Sequence, residues 1–156
     1  MGAERVISTL ASLSIVFVYA AGSAWWVSTG DDWYQSLERP RWQPSDAVFG
    51  VIWPYNFVAL IAAGAVVAAN GTSTVRSIWL AGLAGSVAAA LAWAQLFYVT
   101  HALWAAAFAL IVAAAATTAI VGAAFTTRTW AGLILVPYQT WLVLAASLSV
   151  GYARLN

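Results

Sequence analysis

The sequence predicts an all-α integral membrane protein: one bundle of five transmembrane helices with a long loop between helices 1 and 2. Three observations carry this. Of 156 residues, 63% are hydrophobic and 7% charged, against roughly a quarter charged in an ordinary soluble domain. The chain contains five apolar stretches, each about as long as the ~20 residues that cross a hydrocarbon core of ~30 Å. No Asp, Glu, Lys or Arg falls inside those stretches; the charges gather in the breaks between them.

The first run, Val6 to Val27, follows Arg5 and ends in the aromatic pair Trp25-Trp26. Its small-residue "AAGSA" resembles a signal-peptide cleavage site, but an h-region is roughly 7–15 residues, so this run predicts a span. The second runs from Ala47 to Ala69 and closes on "NGTST"; the third from Ser77 to Val99; the fourth from Ala102 to Phe125; the fifth from Thr129 to Tyr152. Short connections between the last four predict a single domain over residues 1–156. Alternating sides put Arg5, Arg76 and Arg128 on one face and Arg39, Arg41 and Arg154 on the other, so the positive-inside rule gives no orientation.

The third run, "LAGLAGSVAAALAW", places Ala81, Gly85 and Ala89 on one ridge and Gly82, Ser86 and Ala90 on the next. Small residues four apart let helix backbones approach closely in lipid. The ridges serve either packing within the chain or a homodimer interface.

Ten tryptophans are several times ordinary usage. Trp25, Trp26, Trp79, Trp104 and Trp130 lie near predicted helix ends, where indoles anchor at the headgroups. Trp53, Trp93 and Trp141 lie deeper. An indole N–H facing lipid there has no partner, so these three are expected to face the bundle interior, either filling space or lining a pocket for a flat apolar ligand. The polar residues within the spans, Asn56, Gln95 and Gln139, are uncharged, which counts against a proton pump or ion-coupled transporter. Pro54 and Pro137 fall inside the second and fifth runs and are candidate kinks. With no cysteine and a single histidine, His101, no conventional metal cage is expected. His101, at the junction of the third and fourth runs, reads as an interfacial cap and offers only a weak axial contact to a metalloporphyrin. A net charge of +1 predicts no nucleic-acid partner.

The long break reads "DDWYQSLERPRWQPS", Asp31 to Ser45. Its prolines stiffen it, Trp33, Tyr34 and Trp42 give it apolar weight, and Arg39 and Arg41 can pair with anions. Such a segment can fold back as a lid over the mouth of the bundle. The simpler reading is an amphipathic loop lying among the headgroups, its arginines on lipid phosphates or on Glu38 and Asp46.

These motifs resemble the TspO/MBR family, the tryptophan-rich sensory proteins related to the mitochondrial translocator protein. "WYQSLERPRWQPS" is similar to that family's WY-x-x-L-x-x-P-x-W-x-P-P loop, "VFGVIWPYNF" to its VF-x-x-x-W segment, "WAQLFYVTH" to the end of its third helix, and "LVPYQTW" with "ASLSVGYARLN" to its PY-x-x-W and final helix. The resemblance implies a multi-pass protein of a bacterial cell membrane, often a homodimer. Its pocket would open toward the long loop and bind tetrapyrroles such as protoporphyrin IX or heme, or sterols in some members, with no obligatory cofactor. Carried over, Trp33, Tyr34 and Pro44 are loop positions over the pocket, Trp53 and Trp141 its wall tryptophans, and Ala145 a small pocket residue. Asn56, Trp93, Tyr138 and Ser149 complete the candidate ligand set, with Arg39 and Arg41 for propionates. Three family features are altered: the polar pair of the third helix becomes Ser86 and Ala90, the second proline of the loop motif becomes Ser45, and a frequent Leu-Asn becomes Leu148-Ser149. Leu148, Tyr152 and Arg154 also fit the loose sterol pattern.

Together these predict a membrane tetrapyrrole-binding protein engaged in porphyrin sensing, trafficking or light-dependent degradation. The alternative is a transporter or exporter of porphyrins, sterols or other lipophiles. No acid–base pair or activated nucleophile is present; the family's link to porphyrin photochemistry leaves Trp53 and Trp141 as the candidate electron donors.

Overall fold

The computed structural model describes residues 2–156, among which there is no strand. Five long helices carry the bundle: α1 (Gly2–Trp26), α3 (Asp46–Asn70), α4 (Ser73–Tyr98), α5 (Leu103–Thr127) and α7 (Val136–Leu155). Two single-turn helices complete it, α2 (Asp32–Ser36) in the long loop and α6 (Thr129–Leu133) leading into α7. Five spans are long and apolar enough to cross a membrane, with α6 and α7 counted as one. The protein is therefore an integral, multi-pass membrane protein, and the predicted runs match these helices to within a few residues at either end.

Helix boundaries follow local chemistry. Thr72 caps α4, its hydroxyl accepting from the Val75 N–H at 3.3 Å. Asp31 caps α2 through the Trp33 N–H at 3.0 Å, which turns the loop back at the end of α1. Pro54 sits within an unbroken α3. Pro137 lies at the start of α7 rather than inside a helix: it has no N–H to return to Leu133, so the fifth span breaks into α6 and α7. The Tyr55 hydroxyl, from α3, donates to the Ile134 carbonyl in that break at 2.9 Å. A neighbouring helix thus satisfies a backbone group that lipid could not.

The core converges where α1, α3 and α4 meet. Trp79 is fully buried and donates its indole N–H to Ser12 Oγ at 3.0 Å. Gly64 admits the pair: a Cβ there would lie 3.2 Å from Trp79 and 3.3 Å from Ser12. The expectation that Trp79 anchors in the headgroups is therefore wrong. Trp79 lies near the start of the apolar run, but α4 begins four residues before that run and carries Trp79 inside. Trp25, Trp104 and Trp130 are exposed, as belt residues are, and Trp26 is half-buried. At the same end of the bundle Arg76 pairs with Glu4 at 3.0 Å.

The two small-residue ridges of α4 separate. Gly82 packs on α5, where a Cβ would stand 2.9 Å from Ile120. Ser86 is fully buried, 2.8 Å from the Thr117 hydroxyl and 3.2 Å from the Ala113 carbonyl. Gly82 and Ser86 thus serve packing within the chain, not a dimer interface. Ala81 and Gly85 stay exposed and Ala89 half-buried, so only that ridge remains for a second copy.

Two outcomes test this packing. Ser12→Ala leaves a buried indole N–H without a partner and is expected to cost about 1–3 kcal/mol, read as a lower thermal midpoint in detergent; an unchanged midpoint would show that the bond contributes no net stability. Gly82→Leu is expected to abolish the folded bundle, because overpacking displaces α5, whereas Gly85→Leu, whose Cβ has its nearest neighbour at 4.0 Å, keeps it. Size-exclusion recovery of the two variants makes the comparison.

Candidate functional site

The loop is fastened to the C-terminal half of α7. Gly151 is the seat: a Cβ there would lie 2.7 Å from Pro40 and 2.9 Å from Trp42, so only glycine lets the loop come this close. Trp42 Nε1 donates to Ser147 Oγ at 3.2 Å. Asn156 and the Glu38 backbone exchange bonds, Glu38 N–H to Asn156 Oδ1 at 2.9 Å and Asn156 Nδ2 to the Glu38 carbonyl at 3.2 Å. Tyr152 donates to Gln43 Oε1. On the other flank Trp33 stacks on His101, ring centroids 3.7 Å apart and planes within 9°. His101 holds φ 58°, a left-handed conformation that turns α4 into α5 and presents the imidazole to the loop.

Beneath this loop lies a cavity of about 550 Å³, within the range of small-molecule sites. Trp53 of α3, Trp93 of α4 and Trp141 of α7 wall it, with Tyr19, Phe49, Phe97 and Ala145. Edge-to-face contacts hold the wall: Tyr19 on Trp53 at 5.7 Å and 74°, and Phe49 on Trp141 at 5.0 Å and 83°. Tyr34, Gln35, Arg39 and Gln43 of the loop form the rim. Arg39 is held there by Gln35, Nη2 to Oε1 at 2.7 Å, with its guanidinium 5.7 Å from the Tyr34 ring centroid. Three lining residues carry buried polar atoms with no hydrogen-bond partner among the described residues: Trp93 Nε1, Tyr19 Oη and Ser149 Oγ. Buried orphans of this kind are uncommon.

Of the candidate ligand set, the structure brings Tyr34, Arg39, Trp53, Trp93, Trp141, Ala145 and Ser149 to the cavity. It places the others elsewhere. Arg41 is exposed and does not line the cavity, and neither does the half-buried Pro44, because the Pro40–Trp42 turn is pressed onto Gly151 and carries both past the mouth. Trp33 is spent on His101 and Phe97, so it braces the loop from behind. The same stack occupies His101, which does not line the cavity and offers no axial contact there. Asn56 and Tyr138 are fully buried in the bundle core, outside the cavity lining. The sterol triplet also divides: Leu148 and Tyr152 are buried and line the cavity, whereas Arg154 lies on an outer groove. Positions 148 and 152 share one face of α7 and 154 falls on another, so no single sterol meets all three.

Sequence reasoning missed Tyr19, Gln35, Gln43, Phe49 and Tyr98, all cavity-lining. Gln43 had the clearest signal, an amide between Trp42 and Pro44 in a loop where nothing else required one. Tyr19 had a weaker one, a hydroxyl in mid-span of an otherwise apolar helix.

The TspO/MBR family model matches residues 12–155. The tryptophan-rich sensory protein of Cereibacter sphaeroides is 29% identical over 151 residues, covering 93% of this chain and 92% of that one. The uncharacterized membrane protein YtaB of Bacillus subtilis is 28% identical, covering 98% and 99%, and protein CrtK of Rhodobacter capsulatus 26%, covering 95% and 93%. With a match that runs from within α1 through the other four membrane helices and takes in the loop that closes the cavity, the chain belongs to the TspO/MBR family.

Proposed function

We propose that this protein binds a tetrapyrrole, protoporphyrin IX or heme, in the loop-covered cavity, and that it acts in porphyrin sensing, trafficking or light-dependent degradation. The observation that carries the reading is the conjunction of three indole walls with one cation held at the rim. A flat apolar macrocycle gains by burial against Trp53, Trp93 and Trp141. Its propionates require a cation where the cavity meets the polar surface, and the Gln35 contact pre-orients Arg39 for that pairing.

The reading divides the two loop arginines. Arg39→Gln is expected to weaken protoporphyrin IX binding about fivefold, the equivalent of roughly 1 kcal/mol at a partly solvated site, while binding of the uncharged dimethyl ester holds. Arg41→Gln is expected to change neither. Tryptophan quenching titrations read all four affinities; equal losses for acid and ester in Arg39→Gln would mean that the arginine holds the loop rather than the ligand.

Trp53 and Trp141 are the wall residues suited to give an electron to a photoexcited porphyrin. Phenylalanine keeps a stacking face but is a far poorer donor. Trp53→Phe and Trp141→Phe are therefore expected to slow light-dependent loss of bound porphyrin more than they weaken binding, and alanine to impair both. Photobleaching at saturating ligand checks this, and parent-like rates in both Phe variants would remove these residues from any photochemistry.

The second reading is a porphyrin exporter. Proteoliposome flux separates the two, since a binder or sensor needs none. A homodimer through Ala81 and Gly85 is compatible with either.

A further inference from the structure

A second concavity, about 370 Å³, lies on the outside of the bundle. Ile111 of α5 and Ala146, Val150 and Gly151 of α7 form its apolar floor, Trp42 of the loop one wall, and Arg154 its end. It belongs to two membrane-spanning helices, so the medium that covers it is lipid, and its polarity is graded as a lipid's is. From Ala146 to Arg154 the helix rises about 12 Å, apolar along the way and cationic at the end near the headgroups. The Trp42 indole N–H at its edge is already used by Ser147. Arg154 is exposed and makes no hydrogen bond or ion pair among the described residues, whereas Arg39 on the same side is engaged by Gln35.

We propose that this groove is a binding site for an anionic glycerophospholipid of the surrounding membrane, one acyl chain lying over Ile111, Ala146 and Val150 and the phosphate on the Arg154 guanidinium. The planar guanidinium fork matches phosphate oxygens, and a headgroup without its own cation leaves that charge unopposed. A sterol is the poorer occupant: its hydroxyl can accept a bond from the guanidinium but brings no negative charge to it, and the other residues of the sterol pattern face the inner cavity.

Native mass spectrometry of the detergent-solubilised protein with added phosphatidylglycerol or phosphatidylcholine tests the site. The parent is expected to retain phosphatidylglycerol preferentially. Arg154→Gln is expected to lower that retention about fivefold, the effect of one arginine near a membrane surface, while Arg128→Gln, at the opposite end of the bundle, leaves it unchanged. Val150→Phe, which fills the groove without touching the charge, is expected to reduce it as well. Equal retention of the two lipids by the parent, parent-like retention in Arg154→Gln or in Val150→Phe, or displacement of phosphatidylglycerol by uncharged cholesterol would each overturn the assignment.

Discussion

The constraint on which the rest of this structure depends is the absence of water at membrane depth. Every polar group between the two interfaces must find its partner within the bundle or go without. Ser12, Thr117, Thr118 and Thr140 turn their hydroxyls back onto carbonyls four residues earlier in their own helices. Trp79 reaches across to Ser12, and Tyr55 across to the carbonyl freed by the break before Pro137. These are the contacts that tie α1 to α4 and α3 to the start of α7. Since apolar side chains gain nothing by leaving lipid for one another, helix association rests on such bonds and on close backbone approach at Gly64 and Gly82.

The same constraint gives the exceptions their meaning. Near the loop, Trp93, Tyr19 and Ser149 line the cavity with polar atoms left unpaired, while lower in the core Asn56 and Tyr138 are left so too. Ser8 Oγ and Gln139 Oε1 are unpartnered as well, away from the cavity lining, but three of the orphans stand on the cavity wall itself, and the loop that covers the wall is fastened at several points rather than draped. Gly151 makes the fastening possible: a larger residue would push Pro40 and Trp42 off α7 and lift Gln43 and Arg39 from the rim.

The fold was almost wholly legible in the sequence because lipid imposes a one-dimensional signal. Twenty apolar residues without a charge have one reading, and the five runs became five spans. What the sequence could not resolve was rotation about each helix axis. In a chain rich in alanine on every face, apolar periodicity does not distinguish inside from outside, so the sequence points Trp79 to the headgroups and leaves the Gly82 and Ser86 ridge open between packing within the chain and a second subunit. The site was legible where the residue type itself demands burial, as with Trp53, Trp93 and Trp141 at depth. It was illegible where backbone geometry decides: the turn at Pro40 that carries Arg41 and Pro44 past the mouth, and the left-handed His101 that captures Trp33.

The division of the motif Leu148, Tyr152 and Arg154 follows from the same geometry. Residues four apart lie about 40° apart around a helix axis, whereas positions 152 and 154 lie about 200° apart. Leu148 and Tyr152 therefore share the inner face, and Arg154 is turned away from them. A linear pattern can bring three residue types together in sequence without bringing them to one ligand. On α7 it serves two surfaces, with Gly151 between them as the seat of the loop. The inner face closes the cavity through Tyr152 and Gln43, the outer face ends in a cation at the lipid boundary, and Trp42 lies against the glycine that separates the two.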